Sequence, residues 1–416
     1  MGILEPHARY RARVARGPLT VAVAFPTLHD VDWRGRRVVV REDFNVPLEG
    51  GRVASDARLR AALPTLRLLL EGGAHVACLS HLGRPRGAWD PSLSLAPVAA
   101  ALDEILGERV RLCATSDALI SGWGGPERVL LLENLRFFPG EARDDEDWGR
   151  VLGTLGDVYV MDAFATAHRA EASTHSAVLA APCACAGPLL VAEVEAITRA
   201  RDAPERPVVA IVGGAKVSTK FSLLGALLER VDALLLGGGI LNTVLAARGV
   251  GVGRSLHEAG EVDATAALLA RARARKVEVP LPIDVVVARA PDPTAEADVR
   301  PLGAVGADDM ILDIGPETVA AWGPLCREAG TVLWNGPLGV FEHPQFADGT
   351  RGLAQAVAQS RGYTLVGGGD TLAALERFGL LGAMSYVSTG GGAFLTLLEG
   401  GRMPALEALA ARGRSG

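Results

Sequence analysis

The stretch VVAIVGGAKVSTK, Val208 to Lys220, decides how the chain is read. Five apolar residues with the composition of a buried strand meet two glycines and then two lysines four positions apart, where a helix is predicted to begin. A helix start presents unpaired N–H groups and a partial positive charge, and Gly213 and Gly214 let backbone come close to an anion. Lys216 and Lys220, at i and i+4, are predicted to share one helix face. The plain alternative is a glycine-punctuated turn with solvated lysines, since Gly-Gly marks many turns. Composition favours the phosphate site. Of 42 basic residues only Lys216, Lys220 and Lys276 are lysines, and two of them stand here. A chain that otherwise uses arginine keeps a compact point charge where a planar guanidinium is a poor substitute.

The same alternation of apolar strand, loop and helix extends in both directions. RRVVVREDFNVP, from Arg36, reads as a strand and a polar loop; AHVACLSHLGRP, from Ala74, as a strand ending in a basic loop. Between them SDARLRAALPTLRLLLEGG reads as a helix with Ser55 or Asp56 as N-cap, divided by Pro64 and stopped at Gly72 and Gly73. Further strands are predicted at Val129–Leu132, Asp157–Met161, Ala233–Leu236, Asp284–Val287, Met310–Asp313, Thr331–Asn335, Tyr363–Val366 and Tyr386–Val387. Helices are predicted at Leu95–Leu106, Asp144–Leu155, Ala264–Lys276 and Phe394–Leu398. This pattern indicates an α/β protein with parallel sheets covered on both faces.

At 416 residues the chain has room for two or three domains. A net charge of −6 argues against a dedicated nucleic-acid binder. Five cysteines without a C-x-x-C fit a reducing cytosol, with Cys183 and Cys185 as core thiols. The longest uncharged run, Phe378 to Leu398, is broken by the glycine-rich Ser388–Gly392, and no membrane span is expected. The N-terminal stretch carries Arg9, Arg11, Arg13 and Arg16 but no apolar core before a cleavage site, so it reads as a basic extension rather than a secretory signal.

Ligands of open parallel sheets bind outside the carboxyl ends of the strands. In the first half those loops carry Asp43 and Asn45, His81 and Arg84, Arg136, and His168 with Arg169; Arg58 stands on the first helix. Basic side chains at several strand ends suit bidentate recognition of phosphate and carboxylate. In the second half the loops carry Gly213–Lys220, Gly237–Gly239, Asn335–Glu342, GGGDT (Gly367–Thr371) and STGGGA (Ser388–Ala393). The last is a second amide nest for a phosphate. Asp370 reads as a Mg²⁺-side carboxylate, and equally as a helix N-cap. No G-x-G-x-x-G opens a helix after the first strand and no Walker loop is present, which weakens a dinucleotide-binding reading. The simplest interpretation pairs a domain for a small anion with a domain for a nucleotide, joined by the helix Pro188 to Arg201.

With these residues in hand, the chain resembles phosphoglycerate kinase from about Asp30 to Leu409. The motifs DFNVP, SHLGRP, LLLENLRF, DAFATAHRA, GGAKVS, LDIGP, WNGPLGVFE, GGGDT and STGGGA occur in the family's order. The resemblance implies two doubly wound parallel-sheet (Rossmann-like) domains joined by a hinge helix. The expected division is a basic extension at 1–25, a 3-phosphoglycerate-binding domain at 26–187, the hinge helix at 188–204, a nucleotide-binding domain at 205–395, and a segment at 396–416 returning to the first domain. It also implies reversible transfer of a phosphoryl group between 1,3-bisphosphoglycerate and ADP with Mg²⁺, by a monomeric cytoplasmic enzyme of glycolysis and gluconeogenesis acting on domain closure.

Position by position, the resemblance assigns Asp43, Phe44, Asn45, Arg58, His81, Leu82, Gly83, Arg84, Arg136 and Arg169 to the glycerate site. Arg58, Lys216, Gly391 and Gly392 are expected to act on the phosphoryl group in transit. Gly214, Lys216, Lys220, Gly238, Asn335, Pro337, Glu342, Gly367, Gly368, Gly369, Asp370 and Thr371 are expected to hold the nucleotide, with Asp370 on the metal. The chain departs from the family pattern at Glu171, where His is usual, at Met161 and Ala165 for Asn and Gly, at Thr219 for Asp, and at Glu42 for an apolar residue. Competing readings are a nucleotide-binding paralogue without glycerate turnover and a kinase for another small acid.

Overall fold

The structure, a computed structural model, describes residues 25–413; the basic extension lies almost wholly outside them. The first sheet is built from β1 (Arg37–Arg41), β4 (His75–Leu79), β5 (Val110–Cys113), β6 (Val129–Leu132), β7 (Val158–Met161) and β8 (Ala184–Ala186), in the order β5-β6-β4-β1-β7-β8 and parallel throughout. Consecutive Val38, Val39 and Val40 are all fully buried. Side chains of successive strand residues point to opposite faces, so both faces of the sheet are covered. A two-residue ribbon, β2 (Leu48–Glu49) with β3 (Arg52–Val53), follows β1.

The second parallel sheet has the order β10-β9-β14-β15-β16, formed by β9 (Val208–Val212), β10 (Ala233–Leu236), β14 (Thr331–Asn335), β15 (Tyr363–Gly367) and β16 (Tyr386–Ser388). Its register sets Val212, Asn335 and Gly367 side by side at the carboxyl ends of three neighbouring strands. The apolar runs at 284 and 310 do not join it. They form β11 (Asp284–Ala288) and β13 (Met310–Ile314), which pair antiparallel in a separate three-stranded sheet with β12 (Asp298–Pro301). A short buried apolar run fits a parallel or an antiparallel partner equally well, so sequence alone did not separate the two.

The chain divides into two compact units: a first, of the described residues up to Glu195 together with those from Gly401 onward, and a second, of residues 196–400. The division falls inside the helix Pro188–Asp202. The C-terminal helix Pro404–Gly413 belongs to the first unit: Ala405 N donates to Ala167 O at 3.2 Å, and Arg412 Nη2 to Ala181 O at 2.7 Å.

Two local expectations are corrected. Pro64 does not divide its helix, which runs unbroken from Ala57 to Glu71. Leu59, Leu63, Leu66 and Leu70 are buried on both sides of the proline. At about 1.5–3 kcal/mol each, their burial outweighs the ~3 kcal/mol that a helical proline costs. Asp56 is the N-cap residue but makes no capping bond; its carboxylate accepts from Arg60 Nε at 2.9 Å instead.

Candidate functional site

In the first unit the motif residues leave the carboxyl ends of β1, β4, β6 and β7 and are cross-linked by hydrogen bonds. Arg58 Nη1 donates to Asp43 Oδ2 at 2.5 Å, and Asp43 Oδ1 accepts from Asn45 N at 3.1 Å. Asn45 Oδ1 accepts from Gly83 N at 2.9 Å, and Gly83 O accepts from Arg136 Nη1 at 2.8 Å. Five of the predicted residues thus form one chain of contacts. Arg84 and Arg169 are exposed beside it. Gly83 has φ +61°, a conformation that favours glycine; a Cβ there would also meet the movable end of Leu93, with Cδ2 at 2.6 Å. Phe44 and Leu82 turn their side chains into the hydrophobic core, and their backbone N–H groups are already given to Ser80 Oγ at 2.8 Å and Asn134 Oδ1 at 3.1 Å.

His81 is buried, and its Nδ1 lies 3.2 Å from Arg41 Nη2. A guanidinium can only donate, so Nδ1 is the acceptor and the proton sits on Nε2. Burial, and then the neighbouring Arg41, Arg136, Arg58 and Arg169, hold the imidazole pKa well below its ordinary range. His81 is therefore a neutral hydrogen-bond donor, not one of the cluster's cations.

Sequence reasoning missed the scaffold beneath the arginines. Arg41, fully buried, donates through Nε to Ser173 Oγ at 2.8 Å and through Nη1 to Glu42 O. Ser173 Oγ in turn donates to Glu141 Oε1 at 2.5 Å. Glu141 is fully buried, and burial pushes its pKa up to about 7 against the pull of Arg41 and Ser173. Burial also raises Glu42 well above the usual carboxylate range, with Asp162 adding to the effect. Asn134 accepts from Leu82 N and Arg136 N, both at 3.1 Å, and donates to Leu82 O at 2.7 Å, fixing the loops after β4 and β6 together. The polar ENL interruption of an apolar run was the available signal.

In the second unit the loops after β9, β10, β14, β15 and β16 carry the remaining motifs. Lys216 lies in the loop after β9 and Lys220 ends the 3-10 turn Ser218–Lys220, ahead of the α-helix Phe221–Leu227. They therefore do not share an α-helical face as the i, i+4 spacing predicted, because the glycine turn delays the helix past both. Lys216 is exposed; Lys220 is half-buried and donates to Asn335 Oδ1. Desolvation lowers the Lys220 pKa, opposed by Glu399 and Asp370.

Asn335 Nδ2 donates to Gly367 O at 2.8 Å, so this one amide links the lysine, β14 and β15. Thr371 Oγ1 donates to Gly367 O at 3.0 Å and accepts from Gly336 N at 2.6 Å. Its hydroxyl proton is already used, which leaves its backbone N–H for an anion. That N–H belongs to the first turn of the helix Gly369–Arg377, whose start has no side-chain cap. The helix Gly392–Glu399 also starts without a side-chain cap, after Gly391 at φ +51°. Two unblocked helix starts can receive phosphate oxygens. The backbones are closely apposed: a Cβ on Gly213 would stand 1.8 Å from Pro337 O, and one on Gly238, at φ +64°, 2.8 Å from Gly214 O. Asp370 and Glu342 are exposed.

Residues 28–401 match the family model for phosphoglycerate kinase. The chain is 52% identical over 389 residues to the phosphoglycerate kinase of Nitratidesulfovibrio vulgaris, covering 93% of this chain and 98% of that one. It is 51% identical over 383 residues to that of Desulfovibrio desulfuricans, covering 92% and 98%. The solved phosphoglycerate kinase of Coxiella burnetii superposes with a TM-score of 0.88 at 47% identity, covering 94% of this chain and all of that one. That of Pyrococcus horikoshii gives 0.77 at 30%, covering 94% and 99%.

Proposed function

The chain belongs to the phosphoglycerate kinase family, and from that premise we propose that it transfers a phosphoryl group reversibly between 1,3-bisphosphoglycerate and ADP, giving 3-phosphoglycerate and ATP. The observation that carries the reading is the bonded series Arg58, Asp43, Asn45, Gly83 and Arg136 at the carboxyl end of the first sheet. It is an anion site of planar donors held in place before a ligand arrives. The second sheet supplies its complement in lysines, glycine amides and uncapped helix starts, a set suited to a nucleotide's phosphates.

Phosphoryl transfer through a loose transition state needs little covalent help; alignment and neutralisation of the equatorial oxygens supply most of the rate. Arg136, Arg84 and Arg169 hold the acid, and neutral His81 donates through Nε2. Arg58, already oriented by Asp43, reaches the group in transit, as do Lys216 and the amides of Gly391 and Gly392. Lys220 and the first-turn amides from Gly369 to Thr371 hold the nucleotide phosphates, with Gly214, Gly238, Pro337 and Glu342 lining the nucleoside side. Transfer is direct and in line, on domain closure, without a covalent enzyme intermediate.

Among the described residues no three His, Cys, Asp or Glu side chains gather into a metal cage. That donor set fits Mg²⁺ held chiefly by nucleotide phosphates and water, with Asp370 supplying one carboxylate. When bound, the ion neutralises phosphate charge. No described helix is long and apolar enough to cross a membrane, and the working form is a cytoplasmic monomer without a nucleic-acid partner.

The test is Mg²⁺- and ATP-dependent phosphorylation of 3-phosphoglycerate, coupled to NADH oxidation through glyceraldehyde-3-phosphate dehydrogenase. Robust turnover is expected, with a fall of about 10³-fold in kcat for Lys216→Ala. ATP binding without turnover would sink the reading in favour of a nucleotide-binding paralogue, or of a kinase for another acid.

A further inference from the structure

The arginine cluster carries an anion of its own. Glu171 is only 6% exposed. Its Oε1 accepts from Arg136 Nη2 at 3.0 Å and lies 3.8 Å from Arg169 Nη1, while its Oε2 is buried and accepts no hydrogen bond among the described residues. The backbone around it is pinned. Glu171 N donates to Thr174 Oγ1 at 3.1 Å, Glu171 O accepts from Thr174 N and His175 N at 2.9 Å, and Ala172 N donates to Glu141 O at 2.9 Å. The carboxylate is thus fixed beside two guanidinium groups that the proposed function assigns to the acid substrate.

We propose that Glu171 sets the affinity of this cluster for its anionic substrate, as a built-in carboxylate that the substrate's phosphate must displace or tolerate. The inference rests on the reading of the cluster as the 3-phosphoglycerate site and names the residue that tunes it. Two guanidinium groups offer two positive charges, and Glu171 cancels one of them in a poorly hydrated setting, where charges a few ångströms apart are weakly screened. The two pairs are unequal. Arg136 is 11% exposed and held also by Gly83 O, whereas Arg169 is 42% exposed and beyond hydrogen-bond distance of the carboxylate. Arg169 is therefore the arm that an incoming phosphate takes first, and Arg136 stays partly neutralised. Glu171 makes no contact with Arg58, so its charge weakens holding of the substrate and leaves the transfer step alone.

The experiment compares wild type with Glu171→Gln, which keeps the shape and the acceptor but removes the charge, and with Glu171→His as a second variant should the first lose stability. KM for 3-phosphoglycerate is expected to fall about tenfold, with kcat within twofold. Competitive inhibition by inorganic sulfate is expected to tighten by a similar factor, and calorimetric binding of sulfate alone reads the same change without turnover. An unchanged or raised KM in both variants, with sulfate binding no tighter, would overturn the proposal and make Glu171 a simple support for Arg136. Turnover by wild type with no affinity change sinks this inference alone. Tighter sulfate binding in a chain that never phosphorylates 3-phosphoglycerate sinks the functional reading, and with it the substrate named here, and leaves Glu171 as a tuner of anion binding at the cluster.

Discussion

The two strand-end regions present groups suited to anions, but of different kinds. The first unit uses side chains: guanidinium groups aimed by Asp43, Gly83 O and Glu171, over a buried layer of Arg41, Ser173 and Glu141. The second uses backbone: apposed glycine loops and two helix starts left uncapped, with Lys220 and Asn335 fastening the loops. The difference teaches where each is vulnerable. A site of buried ionisable side chains responds to pH, and a site of close backbones responds to a single methyl group.

The largest effect is expected from that methyl. Gly213→Ala forces a carbon against Pro337 O, a backbone atom that cannot swing aside. A loss of about 3–5 kcal/mol in denaturant unfolding is expected, with ATP binding abolished and calorimetric sulfate binding at the arginine cluster kept. Loss of both would show that the two regions do not fail separately.

A smaller effect tests the side-chain region. Glu141 titrates near 4.5 when unfolded and near 7 when buried in the fold. Between those values the folded protein holds a proton that the unfolded chain releases. The stability linked to this group is therefore complete below about pH 4.5 and lost as pH rises through about 7. The change amounts to roughly 3 kcal/mol at most. Denaturant unfolding from pH 5 to 7.5 should show the decline, and Glu141→Gln should flatten it. An unaltered slope in the variant would move the effect to Asp162, another buried acid, whose pKa burial raises to about 6.

The smallest effect concerns a capped helix start in the side-chain region. Asp145 caps the helix Glu146–Gly153 by accepting from Trp148 N at 2.9 Å. Asp145→Ala should cost about 1 kcal/mol with kcat within twofold, as expected of a cap that only stabilises its helix. A change in kcat would tie this helix to catalysis and overturn the reading of Asp145 as a purely structural cap.

The apolar runs were legible because strands buried on both faces leave uninterrupted Val, Leu and Ile, as in VVAIV and VLLL. Their partners were not: β11 and β13 look like any buried run, and only their antiparallel pairing with each other, and of β11 with the exposed, charged β12, reveals the separate sheet. Residues flanked by glycine or placed at strand ends stood out, which is why Arg136, Lys220 and Asp370 were singled out as candidates. Arg41 was not, because it closes a strand as one more charge, and its partners His81 and Ser173 lie 40 and 132 positions away. The helix spacing of the two lysines misled for the opposite reason. A local rule was applied across a glycine turn, where the backbone is not yet helical.

The helix Pro404–Gly413 lies against residues 167 and 181 through contacts that span up to 231 positions. On a ribosome, the unit that starts first therefore finishes last: the whole of residues 196–400 can emerge and fold while the first unit still waits for its closing helix. Translation that stalled or ended early would leave a complete second unit attached to an unfinished first one, and quality control would find the defect in the part of the protein that was made first.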